Sequence, residues 1–319
     1  MATRSEDVAR RAGVSRGAVS QILNGRGARF SAQTIERVRD AARELDYQPS
    51  AAGRALATGS SDFVIALIPD TTFGGNLQDI FGAATEQLAE HGLTLVLRLA
   101  TGSTAALGRL VSGMAPRAVI SLTPFTPEER ELLERRGVRA FDPRRDSEDR
   151  FDHEIGRLQA RHLIERGSSR LAVARLHDAR QDPFGQGREE GVREECRRAG
   201  LPEPQVVHLG IDLDEALQAL DRLSPPEIGI ACYNDDVATC LLSAARIRSF
   251  DVPGQVALIG MDRTPLSQVT VPRLTTISFD TTAPVRTMIA NVLSTLGDDA
   301  GAERAPSTVG FELVPGGTT

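Results

Sequence analysis

Arginine supplies every basic side chain of this 319-residue sequence apart from five histidines, and its placement carries the first chemical signal. Residues 1–61 hold ten arginines against six carboxylates, a net of +4, whereas the whole chain carries −6 and the remainder therefore −10. A cationic segment on an acidic body suits phosphate contact by that segment alone, because counterion release rewards clustered arginine. Other chemistries find little support. The histidines (91, 153, 162, 177 and 208) have no metal-ligand spacing, and His153 and His162, nine residues apart, do not share an i, i+4 helical face. Cys196, Cys232 and Cys240 are odd in number and contain no CxxC pair. That argues against a disulfide framework or a structural zinc site and leaves buried, inert thiols. No GxGxxG follows the first apolar run, and GxxxxGK[ST] and GxSxG are missing, so neither catalysis nor a cofactor nor a metal is expected.

The elements that must position the arginines follow from periodicity. Residues 5–12 favour helix, with Val8, Ala9 and Ala12 on one side, and Gly13 breaks the run. Ser15 is a good N-cap for a second helix over 16–23, in which Val19, Ile22 and Leu23 form an inward stripe while Arg16, Gly17, Ser20 and Gln21 face out. Asn24-Gly25 ends it. Ser31 then caps a third helix, where Ile35, Val38, Ala42 and Leu45 recur at helical spacing through Tyr47. The pattern is that of a three-helix helix-turn-helix unit.

The strings DVARRAGVS (7–15), AVSQILNG (18–25), TIERVRDAARELDYQPS (34–50) and RALATG (54–59) resemble, in register, the LacI/GalR family of bacterial transcription repressors. In that family the second helix enters the major groove of operator DNA. The resemblance implies DNA contacts by Ser15, Arg16, Gly17, Ala18, Ser20, Gln21, Asn24 and Ser31, with Arg16 the candidate for a bidentate guanine contact. Gly17-Ala18 replaces the bulkier pair often found there, and Gln21 stands where the family frequently has arginine, so the operator sequence does not transfer. Residues 50–56 (SAAGRAL) resemble the family's hinge helix, too short to be stable alone in water. There Ser50, Gly53 and Leu56 are the implied contacts, Leu56 wedging between base steps in the minor groove. Glycine at 53, where alanine is usual, costs about 1 kcal/mol of helix propensity and predicts a hinge that orders less readily, unless close approach of the helices needs the missing side chain.

From Phe63 onward, short apolar runs alternate with helical segments. Strands FVIALI (63–68), TLVLRL (94–99), AVISL (118–122) and residues 138–141 are separated by helices predicted over 77–91, 105–112 and 128–136. A second series follows: helix 154–166, strand LAVARL (171–176), helix 187–199, strand VVHL (206–209), helix 214–223, strand IGIAC (228–232), helix 236–247 and strand VALIGM (256–261). Strands so enclosed predict an α/β body of two lobes, each a parallel sheet covered on both faces. Asp235, at the start of N-D-D-V-A, is the expected cap of its helix.

CYNDDVA (232–238), VPGQVALIGMD (252–262) and PRLTTISFD (272–280) continue the family resemblance, whereas 100–152 match only in rhythm. The implied body is of the two-lobed type I periplasmic-binding-protein kind, with crossings expected near 142–152, 279–282 and 298–306. Effector contacts carried over by position are Arg188 (in R-x-x-G with Gly191), Asn234, Asp262, Asp142, Phe73 and Phe279. Arginine, asparagine and aspartate hydrogen-bond hydroxyls or carboxylates, and aromatics stack on ring faces. Phe279 stands where sugar-binding relatives often carry a polar residue. With the TTFGGN loop (71–76) and the Arg144-Arg145 pair, that argues against a simple neutral sugar.

The expected organisation is a head over 1–48, a hinge and linker over 49–61, and an effector-binding and dimerisation body over 62–319. The N-lobe takes about 62–150 and 280–303, the C-lobe about 151–279 and 304–319. The longest apolar runs fall short of the roughly 20 residues needed to span a bilayer, and the N-terminus has no apolar core of a secretory signal. A cytoplasmic homodimer on double-stranded pseudopalindromic operator DNA, controlled by a small-molecule effector, is the expectation, with no membrane partner. A regulator whose sensor is vestigial or takes a non-sugar ligand is the alternative. The head counts against a solute carrier, and no leucine heptads after Gly301 point to a tetramerising coil.

Overall fold

The computed structural model describes residues 3–25, 27–47, 61–70, 76–100, 102–142, 145–177, 182–280, 282–297 and 310–319. The hinge candidates Ser50, Gly53 and Leu56, the pocket candidate Phe73 and the crossing expected at 298–306 lie outside them. The chain divides into two compact units, with the N-terminal helices in one and both sheets in the other.

The head contains α1 (Ser5–Ala12), α2 (Arg16–Leu23) and α3 (Ala32–Glu44). Gly13 closes α1 in the left-handed conformation, at φ 66°, where a side chain would be strained. Ser15 and Ser31 cap α2 and α3, accepting from the amides of Ala18 and Thr34 at 3.2 Å each. Val8, Ala9, Ala12, Val19, Ile22, Val38, Ala41 and Ala42 form one small core, with Leu45 and Tyr47 packed against it.

The body opens with β1 (Phe63–Ile68), α4 (Asn76–Glu90), β2 (Thr94–Leu99), α5 (Thr104–Met114), β3 (Ala118–Ser121), α6 (Pro127–Arg135) and β4 (Arg139–Phe141). Its first sheet is ordered β2-β1-β3-β4, with β1, β3 and β4 parallel. Next come α7 (Arg145–Glu165), β5 (Leu171–Leu176), α8 (Gly185–Arg198), β6 (Gln205–Leu209), α9 (Leu213–Leu223), β7 (Ile228–Cys232), α10 (Asp235–Ile247) and β8 (Val256–Met261). They are followed by β9 (Thr275–Phe279), α11 (Thr282–Leu296) and β10 (Phe311–Val314). The second sheet runs β10-β9-β8-β7-β5-β6. Its strands alternate between two cores: Ala172, Ala174, Ile228, Ile230 and Leu258 face α9 and α10, while Leu171, Val173, Ala231, Ala257 and Ile259 face Ile155, Leu163 and Val192 of α7 and α8. Burial of both faces explains the unbroken apolar runs.

Three features depart from the expected elements. Helix α7 begins at Arg145, so most of the crossing expected at 142–152 is helical; nothing after Pro143 breaks the segment before Gly156. Strand β9 hides behind polar threonines, Thr275 and Thr276, which are fully buried with their hydroxyls bonded to Thr319 and Asp235. Finally, α11 returns to the first sheet, burying Val285, Ile289 and Val292 beside Val64 and Ile120, and β10 then pairs antiparallel with β9. The sheet is therefore parallel except at this edge, where a short added strand covers β9, a common arrangement in α/β folds.

Candidate DNA-reading surface and effector site

On the head, Arg16 is the first residue of α2 and stands well exposed. Its guanidinium Nη1 lies 3.2 Å from Oε1 of Glu6 on α1, and both side chains are more than 60% exposed (69% and 62%). Gly17 is exposed beside it, and Ser20 and Gln21 are half-buried. Ala18, expected on the same surface, is instead buried, because its place in the turn after Ser15 points it inward with Val19. Ser15 and Ser31 spend their hydroxyl oxygens on their caps, and Asn24 donates from Nδ2 to the Ser20 hydroxyl at 3.3 Å. Arg10, Arg11, Arg37, Arg39 and Arg43 are all exposed around this helix set.

In the body, Arg188 sits on the first turn of α8 and is buried, its guanidinium donating from Nε to Asp152 of α7 at 2.8 Å and from Nη1 to the Tyr233 carbonyl. The Tyr233 ring lies 4.8 Å from it and the Phe184 ring 5.9 Å. Burial opposes its charge most strongly, but Asp152, Tyr233 and Asp262 together raise its pKa above the ordinary arginine value. Tyr233 and Asp262 directly follow β7 and β8, so the cluster occupies the carboxyl edge of a parallel sheet, where open α/β sheets bind ligands. Asp262 itself has φ 101°, a strained backbone for a residue with a side chain. Nearby, the buried carboxylate of Asp182 takes Arg175 at 2.6 Å through Oδ2. Burial pushes that carboxyl up, against the pull of Arg175.

Close helix packing makes the Arg188–Asp152 contact possible. A Cβ on Gly156 would fall 1.9 Å from the Arg188 carbonyl oxygen, and one on Gly191 would fall 2.0 Å from that of His153. Each glycine thus receives the backbone of the other helix beside the ion pair. On the outer side Glu194 meets His153 at 2.9 Å, and Glu195 meets Arg157 at 2.8 Å.

Comparison with known proteins follows the same division. Residues 6–50 match the family described as bacterial regulatory proteins, lacI family, and residues 160–319 match a periplasmic binding protein-like domain. The chain is 32% identical to the HTH-type transcriptional regulator GntR of Pseudomonas aeruginosa, over 97% of this chain and 93% of that protein. It belongs to the LacI family. The HTH-type transcriptional repressor PurR of Vibrio parahaemolyticus is 29% identical over 85% of each chain. The crystal structure of the lac repressor dimer bound to operator and the anti-inducer ONPF superposes with a TM-score of 0.77 at 21% identity, covering 100% of this chain and 99% of that one, which shows a shared fold. As a LacI-family member the chain is a transcriptional regulator with a DNA-binding head and a periplasmic-binding-protein-like body.

Among the effector candidates, the structure brings Arg188 and Asp262 to one cluster and gives Asn234, Asp142 and Phe279 local duties. Asn234, not Asp235, is the N-cap of α10, its Oδ1 accepting from the Val237 amide at 3.0 Å. Asp235, one residue on, is buried and accepts from the Thr276 hydroxyl at 2.6 Å and the Thr264 amide at 2.7 Å; burial raises its pKa. It thereby ties α10 to the turn that carries Asp262. Asp142 accepts from Arg130 at 2.6 and 2.8 Å and from the Phe125 amide at 2.7 Å, a clamp on the first sheet. Phe279 packs edge-on against Phe151 at 5.2 Å in the core of the second sheet. Sequence reasoning missed Asp152, Tyr233 and Phe184 as neighbours of Arg188. The available signal was the pair of glycines inside helical stretches, each a cost in propensity that close packing explains. Among the described residues no helix is long and apolar enough to cross a membrane.

Proposed function

We propose that this regulator is a repressor that binds a pseudopalindromic operator as a homodimer and releases or grips it according to a small-molecule effector. α2 lies in the major groove with Arg16 on a guanine edge, Ser20 and Gln21 contribute polar contacts, and Ser31 stands close to the backbone. Two-fold operator symmetry follows from pairing two such heads. The segment with Ser50, Gly53 and Leu56 enters the minor groove, so Leu56→Ala reduces operator bending in a circular-permutation or energy-transfer assay. The lac repressor structure, a dimer carrying both operator and anti-inducer, is the solved protein that supports this arrangement.

The observation that carries the reading is the pairing, in one LacI-family chain, of an exposed arginine at the head of α2 with a buried arginine at the carboxyl edge of a sheet. A buried ion pair contributes little net stability, so a desolvated Arg188 beside a strained Asp262 supports a working sensor over a vestigial one. The ligand offers a hydroxyl or carboxylate to Arg188 and a hydroxyl to Asp262. Selection from a randomised duplex pool with the full chain, followed by titration calorimetry against candidate metabolites, tests both halves. Enrichment of a two-fold symmetric, salt-sensitive site and saturable heat from one metabolite class are expected. No enriched site removes the operator reading, and silence from every metabolite removes the sensor.

A further inference from the structure

The Glu6–Arg16 pair joins the two helices of the reading motif across ten residues of chain, through the turn that Gly13 makes possible. Both groups are too exposed for this contact to contribute much to folding. Its consequence is for geometry. Arg16 begins a helix whose first turn contains no acid, so the positive end of the helix dipole repels its guanidinium. A long arginine side chain without a partner samples many rotamers. Glu6 counters both effects, accepting from Nη1 and narrowing the range of orientations while Nε and Nη2 keep their donors. Those two nitrogens form a donor edge whose spacing matches the paired acceptors N7 and O6 of guanine.

We propose that Glu6 is a specificity-determining positioning residue, acting through Arg16 on the base that Arg16 reads. This rests on the assignment of α2 to the major groove. The carboxylate has a second effect in the same direction. Brought near DNA, it is repelled by phosphates, so it weakens binding to every sequence while the ion pair it makes favours the one base that Arg16 can meet in its held orientation. Glu6 therefore exchanges general affinity for discrimination.

The test uses the full chain and the duplex enriched from a randomised pool by the parent protein. Each half-site position is replaced by the other three base pairs, and binding is measured for the parent, Glu6→Gln, Arg16→Ala and the double variant. Glu6→Gln, isosteric and exposed, keeps the parent's thermal unfolding. The expected result is a loss of about tenfold in discrimination at a single base pair, the one at which Arg16→Ala loses it. Affinity for an unrelated duplex stays equal or rises, and the double variant loses no more than Arg16→Ala alone. A purely structural role for Glu6 moves the unfolding temperature and leaves the base profile alone. The proposal is overturned if the Glu6→Gln profile superposes on the parent's, if its loss falls at a different base pair, or if the two losses add in full. An unchanged Arg16→Ala profile removes the groove assignment itself, and Glu6 with it.

Discussion

Two arginines occupy opposite physical regimes in this protein. Arg16 is 69% exposed and touches one carboxylate at 3.2 Å, whereas the side chain of Arg188 is 10% exposed and held by Asp152, the Tyr233 carbonyl and two aromatic rings. Water screens the first and reaches the donors that Glu6 does not take. The second is desolvated, so its position is set by the fold and any ligand must compete with, or complete, partners already in place. The proposed roles, DNA contact for Arg16 and effector contact for Arg188, call for this contrast.

Substitutions sharpen it, beginning with the largest effect. Arg188→Ala leaves Asp152 in the interior without its cation and is expected to destabilise the body by about 3–5 kcal/mol in urea unfolding. Adding Asp152→Asn recovers much of that, and a double variant as unstable as the single one would break the ion-pair account. Gly191→Ala forces apart helices that approach within the reach of one methyl group. A loss of about 1–3 kcal/mol is expected, with weaker effector binding because Asp152 and Arg188 separate. Arg16→Ala changes stability by no more than about 0.5 kcal/mol yet costs about 1–3 kcal/mol on the selected duplex. A stability loss comparable to that of Arg188→Ala would erase the contrast.

The smallest effect concerns pH. Burial, with help from Arg166, holds His162 below its ordinary pKa, and its Nε2 lies 2.8 Å from the Thr319 hydroxyl. The neutral form is favoured in the fold, so this contribution is fully present above about pH 6.5, the ordinary histidine value, and is lost as pH falls through the depressed pKa. The urea midpoint of the parent should therefore fall more between pH 7.5 and 5 than that of His162→Gln.

Legibility in the sequence followed the same physical divide. The head was readable almost residue by residue, since caps such as Ser15 and Ser31 and the pairs Val8 with Ala12, Val19 with Ile22, and Val38 with Ala42, each within one helix, are local features with helical period. Both sheets were foreseen where apolar runs are continuous, as in β1, β5, β7 and β8. Polar strands and long-range returns were not. Nothing local in TTISF announces two buried threonines, because their partners are Asp235 and Thr319, tens of residues away. The proposed effector site suffered likewise: Arg188 and Asp262 stand out by motif, but Asp152 joins them through the helix packing at Gly156 and Gly191, and Tyr233 through its place at the end of β7. Asn234 and Asp142 show the converse, polar residues in plausible places whose oxygens serve the fold.

The division of labour is tested most directly by anisotropy of the selected duplex with the full chain, titrated with a metabolite that binds the parent, and repeated for Arg188→Ala and Arg16→Ala. The metabolite is expected to shift the parent's duplex affinity by about 5–150-fold. Arg188→Ala is expected to bind duplex without that shift, and Arg16→Ala to keep the parent's metabolite affinity while losing the duplex. A full metabolite response in Arg188→Ala, or duplex binding by Arg16→Ala equal to the parent's, would contradict that division.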